Sequence, residues 1–437
     1  MSFAVTTGLI LLIACPILLL IGIPIAISIA VSSVLAVLAS LPTDVSLITS
    51  VQRIFTGMDS FSLLAVPFFI LSGVIMNNGG IALKLVNFAK LFSGKIPGAL
   101  AQTNVLGNML FGSISGSSVA AAAAIGGVLN PLEEKEGYDK NFSAAVNIAS
   151  APIGLLIPPS GILIIYALVS GGTSVSALFM AGYLPGILWG LAVMVTAYFI
   201  AKKNNYSVAP KMSFKEMLKV FLEAIPSLLL IIIVIGGITA GIFTATEGAA
   251  VAVAYCFILS FFFYKSITLK DMPAILLESG KMTAVIMLLI GASSVMSWIM
   301  AYTNIPNLIT SLLLGISSSK ILIFIIMNII LLIVGTFMDL TPAVLIFTPI
   351  LLPIAKNFGM DPIHFGIMLI TNLAIGNITP PVGSALFIGC KVGQTRIEDV
   401  IKYIMPFYIA IIVVLGLVTF VPDISLIIPR LLGLIER

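Results

Sequence analysis

Charge is what this chain has least of. Of its 437 residues only 9% are Asp, Glu, Lys or Arg, against 60% hydrophobic, and the mean hydropathy is +1.22. A soluble surface needs roughly 25–35% charged residues. The 21 basic and 17 acidic side chains therefore cannot cover a water-facing protein of this size, which excludes a soluble enzyme, a nucleic-acid binder and a disordered scaffold. Histidine is nearly absent too: His364 stands alone, and one imidazole builds neither a metal site nor a proton relay, so a structural role is expected. Cys15, Cys256 and Cys390 lie far apart in apolar sequence, without the paired spacing of a disulfide or metal site. There is no Gly-x4-Gly-Lys-Ser/Thr loop for nucleotide phosphates, and neither Gly-x-Ser-Gly nor His-Glu-x-x-His for an intramembrane protease. No basic residue precedes Arg53, so the N-terminus lacks the charged flank of a signal peptide and its first apolar segment is expected to remain as a span.

What is present is apolar sequence in stretches near 20 residues, the length that crosses a ~30 Å hydrocarbon core as a helix. The stretches are continuously apolar rather than alternating, which favours helices over a barrel. The expected class is an all-α polytopic membrane protein. Spans are predicted at about 3–22, 23–40, 61–77, 177–200, 224–243, 246–265, 284–301 and 403–421. Amphipathic stretches at about 81–95, 213–222 and 268–282 have the pattern of interfacial helices. Residues 96–131 and 320–355 differ from the spans: each is a pair of short apolar halves around a polar tip, Gly112-Ser-Ile-Ser-Gly-Ser-Ser118 and Gly335-Thr-Phe-Met-Asp-Leu-Thr-Pro342. These have the shape of re-entrant hairpins. Two further segments, 140–170 and 362–390, are broken in the middle by Ile153-Gly-Leu-Leu-Ile-Pro-Pro-Ser-Gly161 and Ile375-Gly-Asn-Ile-Thr-Pro-Pro-Val-Gly383.

The two broken segments match at an offset of 222. The nonapeptides share five residues, and the same offset pairs Leu129 with Leu351, Pro131 with Pro353, Gly137 with Gly359, Asp139 with Asp361 and Ile148 with Ile370. That is an internal repeat. Lysines set its orientation: Lys202, Lys203, Lys211, Lys215 and Lys219 place the loop 202–219 in the cytoplasm. Counting spans outward puts the N-terminus outside, with 16 basic residues inside and five outside. The first hairpin then enters from the cytoplasm and the second from outside. Inverted repeats with broken helices are the architecture of secondary transporters, whose site lies near the midplane where the repeats meet.

Breaks at membrane depth strand backbone N–H and C=O groups that need a partner. Carbonyls at half-helix C-termini, with Ser and Thr hydroxyls, can cage a small cation, while half-helix N-termini point N–H groups at an anion. The first tip supplies hydroxyls from Ser113, Ser115, Ser117 and Ser118; its alternative role is a small-residue helix contact. The second supplies Thr336, Asp339 and Thr341 opposite Gly376, Asn377 and Thr379. Asp339, an acid in an apolar stretch, is a functional candidate by default; its alternative role is to cap the helix that follows. Glu247 reads as a helix-end residue, or as the proton carrier of an antiporter together with Asp339. Asp59 reads as a cap for the span at 61–77.

The inverted repeat, its two tips, the paired Pro-Pro-Ser-Gly and Pro-Pro-Val-Gly loops and Val66-Pro-Phe-Phe-Ile-Leu-Ser-Gly73 together resemble the large membrane subunit of the tripartite ATP-independent periplasmic (TRAP) transporters. The resemblance extends over essentially the whole chain, looks closest to the sialic acid branch, and implies a sodium-driven elevator that imports an organic acid across the inner membrane. Na+ would be the coupling ion, with no other cofactor, no enzymatic activity and no nucleic-acid partner. It implies two partner proteins, a separate small four-helix membrane subunit and a periplasmic substrate-binding protein. Residues 1–95 would form scaffold helices and an arm, 96–175 the first transport repeat, 176–318 further scaffold and arms, 319–400 the second repeat and 401–437 the C-terminal helices. One sodium would sit with Ser113, Ser115, Gly154, Ile157 and Pro159, another with Gly335, Thr336, Asp339, Gly376 and Thr379, and the substrate near Ser117, Ser118, Asn147, Thr341 and Asn377. No arginine lies between Arg53 and Arg396, so an anion would be held by helix N-termini, hydroxyls and sodium, with modest affinity. The open alternatives are a stand-alone sodium- or proton-coupled carboxylate transporter and, in another class, an intramembrane enzyme.

Overall fold

The structure, a computed structural model, describes residues 3–94, 96–206, 213–317 and 319–436. Lys95, Lys211 and Arg437 of the charge count, and positions 207–212 of the lysine-rich loop, lie outside them. Every regular element among the described residues is helical. In chain order these are α1 (Phe3–Leu20), α2 (Ile25–Leu38), α3 (Thr43–Met58), α4 (Ala65–Asn78) and α5 (Ile81–Ser93). The first repeat follows as α6 (Ala99–Ser115), α7 (Ser118–Lys135), α8 (Lys140–Ser150), a 3-10 turn at Ala151–Leu155, and α9 (Gly161–Val169). Then come α10 (Val175–Lys203), α11 (Phe214–Thr239), α12 (Ala245–Ile258), α13 (Met272–Tyr302) and α14 (Ile305–Ile316). The second repeat is α15 (Lys320–Phe337), α16 (Leu340–Asn357), α17 (Pro362–Gly376) and α18 (Ser384–Val392), and the chain closes with α19 (Ile397–Phe420) and α20 (Asp423–Leu431). Nine described helical segments are long and apolar enough to cross a membrane by length and composition.

The repeated residues do the same physical work twice. Gly137 and Gly359 both take positive φ (81° and 74°) just past α7 and α16, a conformation that costs glycine nothing. Two residues later Asp139 and Asp361 cap the next helix: Asp139 Oδ1 accepts from the N–H groups of Asn141 and Phe142, and Asp361 Oδ1 from that of Ile363. The two Pro-Pro bonds, Pro158–Pro159 and Pro380–Pro381, are both cis.

Packing is reciprocal as well. α7 lies on α18 while α16 lies on α9, and α6 crosses the first break while α15 crosses α17. At the offset of 222, Val175 at the start of α10 corresponds to Ile397 at the start of α19; α8 packs on α19, and α17 on α10. Corresponding elements of the two repeats thus meet one another in both directions. α10, expected in a scaffold, therefore groups by contact with the repeats, and so do α19 and α20, which pack on it. The flanking helices α1–α3 and α11–α14 pack mainly among themselves and against α4, α5 and α16.

Three local expectations change. The stretches at 268–282 and 213–222 are not separate interfacial helices but the opening turns of the 31-residue α13 and the 26-residue α11; the helices continue into the apolar sequence through Gly280 and Pro226. Asp59 closes α3 instead of capping the next element, whose N-cap position is Ser60. Glu247 completes a capping box with Thr244 at the start of α12, which accounts for it as a helix-end residue. His364 is buried, with Nε2 2.6 Å from the Val418 carbonyl, a structural tie between α17 and α19.

Candidate binding site at the helix breaks

Each hairpin touches its break through a pair of glycines. A Cβ on Gly112 would lie 3.0 Å from the Gly154 Cα, and one on Gly335 would lie 3.1 Å from the Gly376 Cα. A Cβ on Gly154 or Gly376 would drive straight into the opposing glycine's backbone. Glycine is thus required at both crossings to bring hydroxyl-bearing tips against exposed backbone.

At the first crossing α6 ends in Gly116 at φ +61°, whose N–H returns to the Gly112 carbonyl at 2.8 Å. Ser117 then caps α7, its Oγ accepting from Ala120 N–H at 3.2 Å. Ser113 is buried and donates to the Leu110 carbonyl at 2.8 Å. Ser115 is held only loosely, 3.5 Å from the Gly112 and Ser117 carbonyls. Across from it, residues 151–160 are all buried. Ile153 C=O accepts from Leu156 and Ile157 N–H, and Leu155 C=O from the Ser160 hydroxyl at 2.6 Å. The carbonyls of Gly154, Ile157 and Pro159 accept no hydrogen bond among the described residues. Buried acceptors without donors are costly, and oxygen atoms alone, beside a weakly engaged hydroxyl, fit a hard monovalent cation such as sodium. Trp189 pins the end of α8 before the break, its Nε1 donating to Ala149 C=O at 2.9 Å.

The second crossing has the same backbone and different chemistry. Gly376 C=O accepts from Thr379 N–H at 3.0 Å, Thr379 C=O from Gly383 N–H at 3.2 Å, and Thr336 C=O from Val382 N–H at 3.2 Å. The Thr336 and Thr379 hydroxyls fold back onto Ile333 and Ile375 carbonyls, each at 2.7 Å. Asp339 occupies the N-cap position of α16 but makes no capping hydrogen bond. Capping is therefore not its role; among the described residues its exposed carboxylate accepts one hydrogen bond, from the Ser384 hydroxyl 3.4 Å away.

Asn377 joins the crossings. Its Nδ2 donates to Ser118 Oγ at 2.7 Å, and its Oδ1 accepts from the Ser384 hydroxyl. Ser117, Ser118, Asn377 and Ser384 thus meet where the first tip abuts the second break, while Thr341 lies half-buried in the first turn of α16. Asn147 does not join them. It is fully buried within the first repeat, donating to Ala122 C=O at 2.8 Å and accepting from Asn108 at 3.1 Å. Sequence reasoning missed Ser384, whose signal was a hydroxyl placed directly after the second Pro-Pro-Val-Gly. It also missed Tyr408, whose hydroxyl donates to the Ile378 carbonyl and closes the second break from α19.

Residues 11–424 match the family described as the tripartite ATP-independent periplasmic transporter, DctM component. The chain belongs to that family. Among curated relatives, this DctM-type permease component is 50% identical over 415 residues to the uncharacterized protein YgiK of Salmonella typhimurium, covering 95% of each chain. It is 40% identical to the sialic acid TRAP transporter large permease protein SiaM of Vibrio cholerae, over 87% of this chain and 89% of that one. It is 38% identical to the C4-dicarboxylate TRAP transporter large permease protein DctM of Rhodobacter capsulatus, over 90% and 92%. Its fold is also that of the YdaH transporter of Alcanivorax borkumensis, with a TM-score of 0.61 at 14% identity over 86% and 88% of the two chains. The TRAP permease component is accordingly a multi-pass membrane protein whose relatives are transporter subunits.

Proposed function

We propose that this chain is the large permease subunit of a sodium-coupled TRAP transporter that imports an organic acid by an elevator movement. The observation that carries the proposal is the pair of glycine crossings, one leaving buried carbonyls without a hydrogen-bond donor among the described residues and the other an exposed carboxylate, Asp339, that makes no cap. Both offer oxygen to a monovalent cation, the first through Ser113, Ser115, Gly154, Ile157 and Pro159, the second through Gly335, Thr336, Asp339, Gly376 and Thr379. The substrate carboxylate lies between the tips, against the α7 N-terminus at Ser117 and Ser118, with Thr341 and Asn377 on the other side. Helix N-termini carry the positive end of the backbone dipole, and bound sodium supplies the charge that an arginine supplies elsewhere.

The two repeats with α10, α19 and α20 move as one body against α1–α3 and α11–α14. The repeats are inverted across the inner membrane, with the N-terminus periplasmic and the loop 202–219 cytoplasmic. A separate four-helix subunit braces the outer helices, and a periplasmic binding protein delivers the substrate. Sialic acid is the first substrate to test. C4-dicarboxylates come next, since identities of 40% and 38% to permeases named for these two substrates separate them very little.

The test is uptake into proteoliposomes holding this chain and its small partner, with acid-loaded binding protein outside and an inward sodium gradient. Uptake that requires both sodium and binding protein is the expected result. Uptake without binding protein replaces the tripartite reading with a stand-alone symporter, and uptake driven by a pH gradient without sodium replaces the coupling ion.

A further inference from the structure

At the end of α7 opposite its tip, roughly 22 Å from Ser118 at 1.5 Å per residue, the first repeat holds a polar chamber that the breaks do not use. Glu133 is fully buried there, and neither of its carboxylate oxygens has a hydrogen-bond partner. Ser143 of α8 and Asn104 of α6 face it, but the Ser143 hydroxyl and the Asn104 amide nitrogen make no well-aligned hydrogen bond to it or to any other described group. Asn130, one turn earlier on the same face of α7, is buried with both amide atoms unpartnered. Among the described residues no lysine or arginine pairs with Glu133, and the neighbouring Lys140 is engaged with Glu134 at 2.9 Å.

The fold does not demand these groups. At the offset of 222 the second repeat places Leu352, Ala355 and Phe365 where the first has Asn130, Glu133 and Ser143, and all three are buried. The chamber is an addition to one repeat only. A buried carboxylate without a counter-charge is strongly disfavoured. A proton would let the carboxyl donate to one neighbouring oxygen only, whereas a metal cation can draw on several oxygen donors at once.

We propose that Glu133, Asn130 and Ser143 bind one alkali-metal cation at a site distinct from the two crossings. The donors are hard oxygens around one buried carboxylate, whose charge one monovalent ion neutralises; Glu136, the other carboxylate close enough to act on Glu133, is exposed. The chamber is wired to the first break: Asn104 Oδ1 accepts from Asn108 at 2.9 Å, and Asn108 reaches Ser150 at 2.8 Å, immediately before the 3-10 turn. Cation loading at Glu133 thereby sets the geometry from which the break begins.

The test is thermal unfolding of the purified full chain in NaCl, KCl or choline chloride at constant ionic strength, with equilibrium binding of radioactive sodium and rubidium. In a Ser115→Ala/Asp339→Ala background the cation-dependent stabilisation persists, and adding Glu133→Gln weakens its apparent affinity by at least about tenfold. Ser143→Ala, which keeps the charge, weakens it less and serves if Glu133→Gln does not fold. A response to sodium alone supports the site and identifies its ion, and an equal response to sodium and rubidium supports it as a site that does not select between alkali metals. An unchanged titration in both variants overturns it. So does a native chain as stable in choline at neutral pH as it is in sodium, since the carboxyl then carries a proton. Loss of every cation response in the Ser115→Ala/Asp339→Ala background also overturns it while leaving the crossings standing. A response abolished by Glu133→Gln but untouched by the crossing variants does the reverse.

Discussion

The first and second crossings share a backbone and divide the chemistry. Both bring a hairpin glycine against a break glycine, both carry a cis Pro-Pro, and both are followed by a short helix packed on the other repeat. The first is sealed, with residues 151–160 buried and three carbonyls unpartnered. The second is open: Val382 is 50% exposed, its carbonyls are mostly hydrogen-bonded within the loop, and the free group is a side chain, Asp339. Duplication preserved the geometry that breaks a helix in apolar surroundings, and divergence chose whether backbone or carboxylate is left to meet an ion. A neutral cage of dipoles and a charged one respond differently to substitution, which makes the comparison testable.

The largest effect is expected where the two crossings are alike. Gly154→Ala and Gly376→Ala each drive a methyl group into opposing backbone, which cannot shift as a side chain can, and each should cost more than about 3 kcal/mol. Gly127→Ala on α7, with nothing within 4 Å of the new Cβ, should leave the melting temperature unchanged or raise it. Detergent-solubilised melting curves of the three check this, and a tolerated alanine at only one crossing would break the equivalence.

Next comes the bridge between them. Asn377→Ala leaves buried Ser118 without its donor and half-buried Ser384 with Asp339 alone to accept from it, a loss of about 1–3 kcal/mol. A double-mutant cycle with Ser118→Ala should recover part of it, and purely additive losses would show that the crossings are not joined there.

The sharpest contrast lies in ion dependence. Asp339→Asn removes a charge that makes no cap and lies exposed, so stability should stay within about 0.5 kcal/mol while the sodium concentration for half-maximal uptake rises at least about tenfold. Ser115→Ala removes one neutral oxygen from a cage that keeps its carbonyls, and its sodium curve should shift less. Equal shifts would mean that the two crossings bind the ion in the same way.

The smallest effect concerns the arms. Lys84 of α5 and Glu223 of α11 pair at 2.8 Å with both side chains partly exposed, so Lys84→Met should cost less than about 1 kcal/mol. No ion pair of this kind holds α14, the helix before the second hairpin, among the described residues. Any transport defect of Lys84→Met beyond its stability cost would therefore belong to the first repeat alone.

What could be read from the amino acids was what constrains the backbone. Gly137 and Gly359 at the turns, Gly154 and Gly376 at the crossings, the prolines of the breaks and the capping Asp139 and Asp361 each stand where the backbone takes a course few other residues allow, so their common spacing of 222 disclosed the repeat and the two breaks. Side-chain direction was not legible. Asn147 has the right residue type and neighbourhood, yet its rotation on α8 turns it into the first repeat instead of toward the tips. Glu133 sits in the run Glu133-Glu134-Lys135-Glu136, which has the pattern of a solvated face, and only the packing of α6 and α8 encloses it. α10 and α19 looked like ordinary spans because nothing in an apolar helix says which neighbours it will have. α13 looked like two elements because an amphipathic first turn is the same whether or not a span follows.

The reciprocal packing of α7 on α18 also sets a timetable for biosynthesis. Ser118 leaves the ribosome 259 residues before Asn377, its partner across the repeats. At 5–20 residues per second that is a wait of roughly 10–50 s. During that interval the first break is already inside the membrane while α18 and the loop that would seal its tip do not yet exist. The nascent chain must therefore be chaperoned, by the insertion machinery or by its own earlier helices, until its last quarter arrives. Truncations before residue 377 should accordingly be degraded as unassembled intermediates rather than accumulate as half-transporters.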